Sequence, residues 1–352
     1  MKKISLMAAC SILSAVSGTS VLAAPPASGN AWQVTHRFRI GGSGGWDFLE
    51  LDQAAQRLYV SRSDRVLVVD ATHGKQVGEI DGLSGVHGVA LAHGFHRGFI
   101  SNGRANTVSV FNPDTLTVEQ TVAVGGQDPD TILYDPFSHR VFTFNARSND
   151  ASVIDAANGK LLGHVALPGA PEFAVSDGRG HVFDNIESKN ELVEIDPVAM
   201  RVRSVWPLNN CNRPSGLAID AAHHRLFSVC QNKIMAVTDS TNGKAVASIP
   251  IGEGPDAARF DARRELVFSS NGRSGTLTVV REDDPDHYRV LAEIPTQTSA
   301  RTMALDEVNG HLFLPAADFG PRPKPTATQP HPRAPVKPGS FTILEVAPVV
   351  RN

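Results

Sequence analysis

The sequence predicts an all-β fold, a seven-bladed β-propeller with four antiparallel strands in each blade. A hydrophobic run, a polar turn and a second short β-rich run recur seven times along the chain. Asp opens six of these seven turns, and successive turns begin 41 to 45 residues apart. A period in the low forties that is built from short alternating strands is typical of a propeller blade. The residues that open the turns are Asp52, His93, Asp135, Asp177, Asp220, Asp261 and Asp306.

Each repeat supplies four strands, which we name A to D. Strand A precedes the turn-opening residue, strand B follows it, strand C is a Val- and Ile-rich run, and strand D follows a second turn. In three of the second turns a Gly lies four residues after Asp, and we expect it to adopt the positive φ that closes a short hairpin. These glycines are Gly74, Gly159 and Gly243. We assign the blades to residues 45–84, 86–126, 128–168, 170–210, 212–252, 254–297 and 299–347.

The two ends of the chain predict how the ring closes. The last repeat has no strand D, because few residues follow its strand at 341–344. Residues 32–40 form an alternating strand that belongs to no blade. We predict that this N-terminal strand becomes the outer strand of the last blade and pairs antiparallel with residues 341–346. Such pairing leaves no open sheet edge between the first and last blades.

The first residues have the pattern of a secretory signal peptide, which we place at residues 1–23. Lys2 and Lys3 form a basic start, an apolar run follows, and Ala23 ends a small-residue cleavage site. We therefore expect a bacterial Sec-type export signal, a periplasmic or secreted product, and a mature chain of residues 24–352 that forms one domain. No later run approaches the ~18 apolar residues of a membrane-spanning helix, and we expect a monomer.

The charge excludes a globally basic nucleic-acid binder. The formal net charge is −3, and loss of the signal peptide with its two Lys makes it −5. A mildly acidic chain of this kind binds polyanions only through a local basic surface.

Two cysteines remain after the signal peptide, Cys211 and Cys230. The repeat places both at one end of blade five, in the turn entering strand A and at the end of strand B. Neighbouring strands satisfy the Cα separation of about 4.4–6.8 Å that a disulfide requires. Since an exported protein folds in an oxidising compartment, we predict a structural disulfide between them.

The top face of the propeller is the face that holds the turns entering strand A and the B–C loops. Because strand A is innermost, the residues that begin it should surround the mouth of the central channel. The acidic ones could hold a divalent cation through oxygen atoms, or a cationic or hydroxylated ligand; alternatively, they only cap strands and shape turns. The carboxylates available to a cation are Asp47, Asp130, Glu172 and Asp256. The candidate channel-mouth binding residues are Asp47, His87, Asp130, Glu172, Ser215, Asp256 and Arg301.

A second ring of candidates, the basic collar, lies in the short B–C loops. Its members are Arg62, Arg104, Arg147, Lys189, Lys233 and Arg273. The seventh B–C loop is a Pro-rich basic insertion at 320–338, which we expect to be extended and able to cover the channel mouth. A basic collar attracts an anionic small molecule, single-stranded nucleic acid or an acidic protein partner. Alternatively, the bases form a solvated rim that favours solubility.

The sequence holds no convincing catalytic motif. Residues 41–45 match G-x-S-x-G, but that motif needs a strand-to-helix elbow and here another strand follows. Histidines recur in the A–B turns of the opposite, bottom face, where inheritance through the repeat explains them better than metal binding. We therefore predict no catalytic residue and no cofactor, and a divalent cation at the channel mouth is the one metal that we consider.

Several stretches of the repeats resemble a known family. The most specific ones are residues 211–220 (CNRPSGLAID), 249–252 (IPIG), 268–272 (FSSNG) and 300–306 (ARTMALD). Through them the mature chain resembles the YncE-like, YVTN-repeat β-propellers. The resemblance implies a seven-bladed propeller that bacteria export, but no firm activity. Members are often labelled DNA-binding, and related folds occur in quinone-type amine dehydrogenases, whose cofactor-forming residues have no match here.

Two functions remain open from the sequence. The first is an exported, non-enzymatic binding or scaffold protein that uses its top face. The second is a cation-dependent lyase or hydrolase with its site at the channel mouth. A stoichiometric metal would favour the enzyme, whereas anion binding that depends on the basic collar would favour the binding protein.

Overall fold

The computed structural model describes residues 31–326, 330, 332 and 334–349. The predicted signal peptide lies outside these residues. Within them, 28 strands form seven four-stranded antiparallel sheets, which are the blades of a propeller. The predicted fold class is therefore confirmed.

The strands are numbered β1 to β28 along the chain, and each blade contains its strands in the order A to D. The first strand is β1 (Ala31–Arg39). Blade one contains β2 (Leu49–Asp52), β3 (Arg57–Arg62), β4 (Arg65–Asp70) and β5 (Lys75–Ile80). Blade two contains β6 (Val86–Ala92), β7 (Arg97–Asn102), β8 (Thr107–Asn112) and β9 (Thr117–Ala123). Blade three contains β10 (Pro129–Asp135), β11 (Arg140–Asn145), β12 (Asp150–Asp155) and β13 (Leu161–Ala166).

The remaining blades follow the same order. Blade four contains β14 (Pro171–Ser176), β15 (Val182–Ile186), β16 (Glu191–Asp196) and β17 (Arg201–Pro207). Blade five contains β18 (Pro214–Asp220), β19 (Arg225–Cys230), β20 (Ile234–Asp239) and β21 (Ala245–Pro250). Blade six contains β22 (Pro255–Asp261), β23 (Leu266–Asn271), β24 (Thr276–Asp284) and β25 (His287–Pro295). Blade seven contains β26 (Ala304–Asp306), β27 (His311–Ala316), β28 (Thr342–Val349) and β1.

The N-terminal strand closes the ring, as predicted. β1 is the outer strand of blade seven and pairs antiparallel with β28. Gln33 lies opposite Ala347 and Arg39 lies opposite Thr342, with a register shift between Val34 and His36. Backbone hydrogen bonds thus hold the N-terminal strand in the last blade, next to the C-terminal strand, and the chain passes from there into blade one.

The Asp residues that open the A–B turns recur because each one binds the turn that follows it. The Oδ1 atoms of Asp52, Asp220 and Asp306 each accept hydrogen bonds from the backbone amides two and three residues later. This Asx geometry satisfies amides that no strand partner reaches. In blade two, His93 stands in the Asp place, and the turn is instead a short 3-10 helix, His93–Phe95, which ends at His96 with φ +52°. A second one, Gly103–Ala105, forms the B–C loop of the same blade.

The predicted glycines close the C–D turns. Gly74, Gly159 and Gly243 have φ of +63°, +70° and +73°. A Cβ atom at Gly74 would lie 2.0 Å from the ring of Phe38, and one at Gly243 would lie 2.2 Å from Trp206. Both the backbone conformation and the close approach of a ring therefore require glycine.

The core lies between neighbouring blades. Strand B of every blade contributes at least one aromatic side chain that is at most 2% exposed, and each burial stabilises the fold by about 1.5–3 kcal/mol. These residues include Tyr59, Phe99, Phe142, Phe183, Phe227, Phe268 and Phe313. The predicted disulfide is also present: Cys211 and Cys230 are bonded, with Cα atoms 5.3 Å apart.

Candidate functional site

His87 is the centre of a group of acidic side chains at the channel mouth. Its Nδ1 atom lies 2.7 Å from Asp47 Oδ2 and 3.4 Å from Asp130 Oδ1, and its Nε2 atom lies 3.8 Å from Asp128 Oδ1. Burial disfavours the charged imidazole, but the hydrogen bond to Asp47 and the surrounding carboxylates raise the pKa of His87 to about 9. The ring is therefore protonated at neutral pH.

Arg301 continues these contacts toward the other side of the mouth. Its Nη1 atom donates to Asp256 Oδ2 at 2.5 Å, and its Nη2 atom donates to Asp47 Oδ1 at 3.1 Å. Burial also raises the carboxyl pKa of Asp47, but the charge of Arg301 and the hydrogen bond from His87 outweigh it and leave that pKa lowered. Asp47 is thus the shared ionised partner of two cations.

These ion pairs form one arc across five blades. The arc runs from Asp256 of blade six through Arg301 of blade seven, Asp47 of blade one and His87 of blade two to Asp130 of blade three. Each link joins the entrances of strand A in neighbouring blades. The arc therefore crosses the junction at which the ring closes.

Two carboxyl groups of the mouth lack a strong cationic partner. Burial and the charge of Asp47 raise the carboxyl pKa of Asp130 to about 7. Burial and the charge of Asp130 raise that of Glu172 well above its usual value. Both groups hold protons more readily than a surface acid does, so the mouth carries less negative charge than its four carboxylates suggest.

The structure brings together a different set of metal-ligating atoms from the one predicted. Donor atoms of Asp47, His87 and Asp130 all lie within 4.8 Å of one another. Glu172 and Asp256, which the four-carboxylate prediction included, lie outside this group. Among the described residues, the compact set at the mouth is therefore two carboxylates and one imidazole.

Ser215 is buried, which does not agree with its inclusion among the binding residues. Its side chain is 1% exposed, and its hydroxyl donates to the Pro255 carbonyl at 3.0 Å. The residue ties blade five to blade six instead of offering a contact to a ligand.

Arg62 was predicted to belong to the basic collar, but its side chain does not reach solvent. The residue is fully buried, and its guanidinium lies 3.8 Å from the centre of the Phe341 ring. Its nitrogen atoms donate to the carbonyls of Ser43, Gly44 and Gly45 at 2.7, 3.1 and 3.2 Å. The glycine-rich turn between β1 and blade one leaves carbonyls without strand partners, and Arg62 supplies the donors that they need.

The other five collar residues are exposed at the top face. Arg147 pairs with Asp128 at 3.0 Å, and Lys233 pairs with Glu253 at 3.9 Å. Within the described part of the chain, no ion pair involves Arg104, Lys189 or Arg273. The repeat spacing did not identify Asp128 as a site residue. Asp128 lies beside the mouth, but it precedes the position at which strand A begins, and only residues at that position were candidates.

Two adjoining cavities open at the top face. The first has a volume of about 670 Å³ and is lined by Asp47, His87, Arg104 and Arg147 among others. The second has a volume of about 870 Å³ and lies between blade six and the Pro-rich insertion. Trp46 and Arg301 line both cavities, so a ligand in either one would contact the middle of the ion-pair arc.

The base of the insertion forms the outer wall of the second cavity. Gly320 donates to the Pro335 carbonyl and Lys337 donates to the Asp318 carbonyl, both at 2.8 Å. Phe319 packs against Trp46 with ring centres 5.9 Å apart. Arg322 lines the cavity, whereas Arg333, which was part of the predicted basic insertion, lies outside the described residues.

Comparison with known proteins finds two similar curated proteins and many solved structures of the same fold. No family model matches it. Two curated relatives, both named "Uncharacterized protein YncE", come from Salmonella typhimurium and Salmonella typhi and are 23% and 22% identical over 230 residues. Each alignment covers 65% of this chain and 52% of the relative, so the chain spans about half the length of the curated relatives it matches. The seven-bladed ring and this similarity agree. The chain is a seven-bladed propeller that is similar to YncE.

Solved structures share the fold of this YncE-like propeller. Kuenenia stuttgartiensis hydrazine synthase matches with a TM-score of 0.69 and 15% identity, over 77% of this chain and 92% of that one. The RRP9 WD40 repeats match with a TM-score of 0.73 and 10% identity, over 91% of this chain and 98% of that one. Identities this low show the fold alone. Among the described residues, no helix is long and apolar enough to span a membrane.

Proposed function

We propose that this YncE-like propeller is a non-enzymatic binding or scaffold protein that holds an anionic ligand at its top face. The observation that supports this most strongly is the pair of adjoining cavities that share Arg301. Arg104 borders the first cavity and Arg273 borders the second. Both side chains are exposed, and neither takes part in an ion pair among the described residues. Their charges are therefore available to a ligand.

The acidic floor of the mouth does not prevent anion binding. Asp47 and Asp256 are paired with Arg301, and Asp130, with its raised pKa, is partly protonated at neutral pH. The protonated His87 neutralises a further negative charge. The unpaired charges that reach solvent at the rim are thus mainly those of the basic collar, and they set the sign of the local field.

The volumes of the cavities favour a small anionic molecule over a nucleic-acid strand. Both volumes lie in the range of about 300–1,000 Å³ that is usual for small-molecule sites. Single-stranded nucleic acid usually stacks successive bases on aromatic side chains. Of the Trp and Phe residues that line the two cavities, Phe319 is exposed whereas Trp46 is 9% exposed. An acidic protein partner remains compatible with the same bases.

Calorimetric titration with inorganic tripolyphosphate at low salt tests the proposal. The double variant Arg104→Ala/Arg273→Ala should bind about tenfold more weakly, since each lost charge contributes roughly 0.5–1 kcal/mol. Lys75→Ala/Lys160→Ala removes the same charge from turns of the bottom face and should bind like the unmodified protein. Equal affinity in both double variants would contradict the proposal. Tighter binding of a single-stranded oligonucleotide than of tripolyphosphate would identify nucleic acid as the ligand class.

A cation-dependent lyase or hydrolase is the second candidate, and the cluster of Asp47, His87 and Asp130 favours it. A metal ion needs a neutral imidazole, whereas the pKa of His87 is about 9. A metal ion must therefore displace the proton of His87 at neutral pH, and the free-energy cost of this displacement weakens metal binding. A stoichiometric divalent cation in the purified protein that disappears in Asp130→Ala would support the enzyme over the binding protein.

We also propose that the protein is exported. The N-terminal sequence has the signal-peptide pattern, and the Cys211–Cys230 disulfide is of the kind that persists in oxidising compartments. In a bacterial host, the product should be recovered from the periplasm, and its mass should be that of a chain that begins at Ala24. A full-length chain with two free thiols in the cytosol would contradict this proposal.

A further inference from the structure

Three side chains with metal-ligating atoms converge at the bottom of blades five and six, away from the channel mouth. Asp220 ends β18, His223 lies in the A–B turn that follows, and Glu282 lies near the end of β24 in the next blade. Donor atoms of the three residues all lie within 4.8 Å of one another. His223 therefore has two potential co-ligands, which inheritance through the repeat does not explain.

Glu282 is buried without the partners that a carboxylate needs. Glu282 is 3% exposed, and no described group donates a hydrogen bond to its Oε2 atom. Oε1 lies 3.3 Å from Tyr288 Oη, but that hydroxyl is only 2.6 Å from the Pro285 carbonyl, which is its better acceptor. A buried carboxylate of this kind requires either a proton or a cation.

Asp220 directs one carboxylate oxygen at His223. Its Oδ1 atom accepts hydrogen bonds from the backbone amides of Ala222 and His223 at 2.9 and 3.3 Å. Its Oδ2 atom faces His223 Nδ1 at 2.5 Å. The turn therefore fixes the orientation of the carboxylate, as hydrogen bonds outside a metal site commonly do. The His223 side chain is 49% exposed, which leaves a path from solvent to the cluster.

We propose that Asp220, His223 and Glu282 bind a divalent transition-metal ion of the Zn²⁺ type. Ligand atoms that bind zinc at about 2.0–2.2 Å lie at most roughly 4.4 Å apart, so small side-chain movements bring the three atoms into place. Zinc accepts imidazole and carboxylate ligands together, whereas Mg²⁺ and Ca²⁺ favour oxygen ligands. The ion satisfies Glu282 and neutralises both buried carboxylates.

The position of the cluster gives the ion a structural role. Asp220 and His223 belong to blade five and Glu282 belongs to blade six, so the ion bridges two blades at the bottom face. An ion that binds the folded protein and not the unfolded chain raises the stability of the fold by mass action. The proposal does not rest on ligand binding at the top face.

Calorimetric titration of chelator-treated full-length protein with ZnCl₂ tests this site. The unmodified protein should bind one equivalent, and Glu282→Gln and His223→Ala should each weaken binding at least about 100-fold. His87→Ala removes the imidazole of the channel-mouth cluster and should bind zinc normally. Absence of binding by the unmodified protein, or full binding by both Glu282→Gln and His223→Ala, would overturn the proposal. Loss of binding in His87→Ala alone would also overturn it, because the ion would then lie at the channel mouth.

Thermal unfolding provides a second readout that does not depend on the calorimetric signal. Zn²⁺ should raise the melting temperature of the unmodified protein and leave that of Glu282→Gln unchanged, whereas Mg²⁺ should change neither. Glutamine preserves the shape of Glu282, and circular dichroism before the titration verifies that the variant is folded. An equal rise in both proteins would show that zinc stabilises the fold from another site and would contradict the bridge between the blades.

Discussion

The imidazole of His87 donates a hydrogen bond of 2.7 Å to the carboxylate of Asp47, across the boundary between blades one and two. Asp47 accepts a second bond from Arg301 of blade seven. The polar contacts of the channel mouth therefore join the blade that follows the closing strand to the blades on either side of it. Two physical consequences of this arrangement can be measured, the pH dependence of stability and the sign of the charge that the top face attracts.

His87 should make the stability of the propeller depend on pH. Its pKa in the folded protein is about 9, above the ordinary value of 6.5, so protonation favours the folded state. This contribution is fully present below about pH 6.5 and is lost as the pH rises through about 9. His87→Gln should reduce the free energy of unfolding by about 2 kcal/mol at low pH and by little above pH 9. Urea denaturation at several pH values measures the difference.

A histidine of an exposed turn provides the control for this prediction. His73 pairs with Asp70 at the surface, and His73→Gln should change the free energy of unfolding by less than about 1 kcal/mol. A difference for His87→Gln that is the same at low and high pH would show that the histidine acts by packing and not by its charge.

Arg62 and Arg104 occupy equivalent places in the repeat and should behave in opposite ways. Arg62→Ala leaves the carbonyls of the glycine-rich turn without donors and should cost about 2–3 kcal/mol of stability. Arg104 is exposed, so Arg104→Ala should change stability by less than about 0.5 kcal/mol and weaken anion binding instead. Denaturation and tripolyphosphate titration of both variants separate the two roles. Comparable stability losses in both variants would contradict this assignment.

The same pair of residues shows where sequence reasoning succeeds and where it fails. The repeat predicts the blades because Asp turns and alternating strands are local features with a fixed period. It assigns Arg62 and Arg104 alike, because spacing does not reveal that Arg62 is buried against Phe341. That burial depends on residues 41–45, which belong to the ring closure and occur once in the chain.

Asp184 should destabilise the fold increasingly as the pH rises. Burial raises its carboxyl pKa well above the usual value, and the backbone of Glu172 offsets only part of that effect. The unfolded chain releases this proton above about pH 4 while the folded protein retains it, so stability falls by about 1.4 kcal/mol per pH unit between the two pKa values. Asp184→Asn removes this dependence.

The free energies of unfolding of Asp184→Asn and the unmodified protein should therefore diverge as the pH increases from about 4 to neutrality. Asp81→Asn, a change at an exposed position, should follow the unmodified protein throughout. Parallel curves for Asp184→Asn and the unmodified protein would show that Asp184 is ionised in the folded state.

The disulfide should stabilise blade five. Cys211 and Cys230 are separated by 19 residues and are buried, and a loop of this size contributes about 3 kcal/mol. Cys211→Ser/Cys230→Ser should lower the free energy of unfolding by about that amount. Reducing agent should destabilise the unmodified protein and leave the double variant unchanged. Insensitivity of both proteins to reducing agent would contradict a stabilising role.

The cluster of Asp220, His223 and Glu282 shows why the sequence alone does not predict every group of potential metal ligands. Asp220 and His223 are close along the chain, but Glu282 joins them from the next blade. It lies in the long strand β24, which extends beyond the usual strand length of the repeat. A periodic alignment compares equivalent positions and so does not pair a turn of one blade with the extension of another. By contrast, Asp47 and Asp130 each lie five residues before a turn-opening Asp, and the sequence predicted that they would lie at one mouth.

The salt dependence of anion binding tests the central claim most directly. If the exposed bases of the top face hold the ligand, tripolyphosphate should bind the unmodified protein at least about tenfold more weakly at about 200 mM than at about 50 mM salt. Arg104→Ala/Arg273→Ala should show a much shallower dependence, and Lys75→Ala/Lys160→Ala should match the unmodified protein. Absence of binding at the lower salt concentration, or an affinity that does not change with salt, would contradict the account.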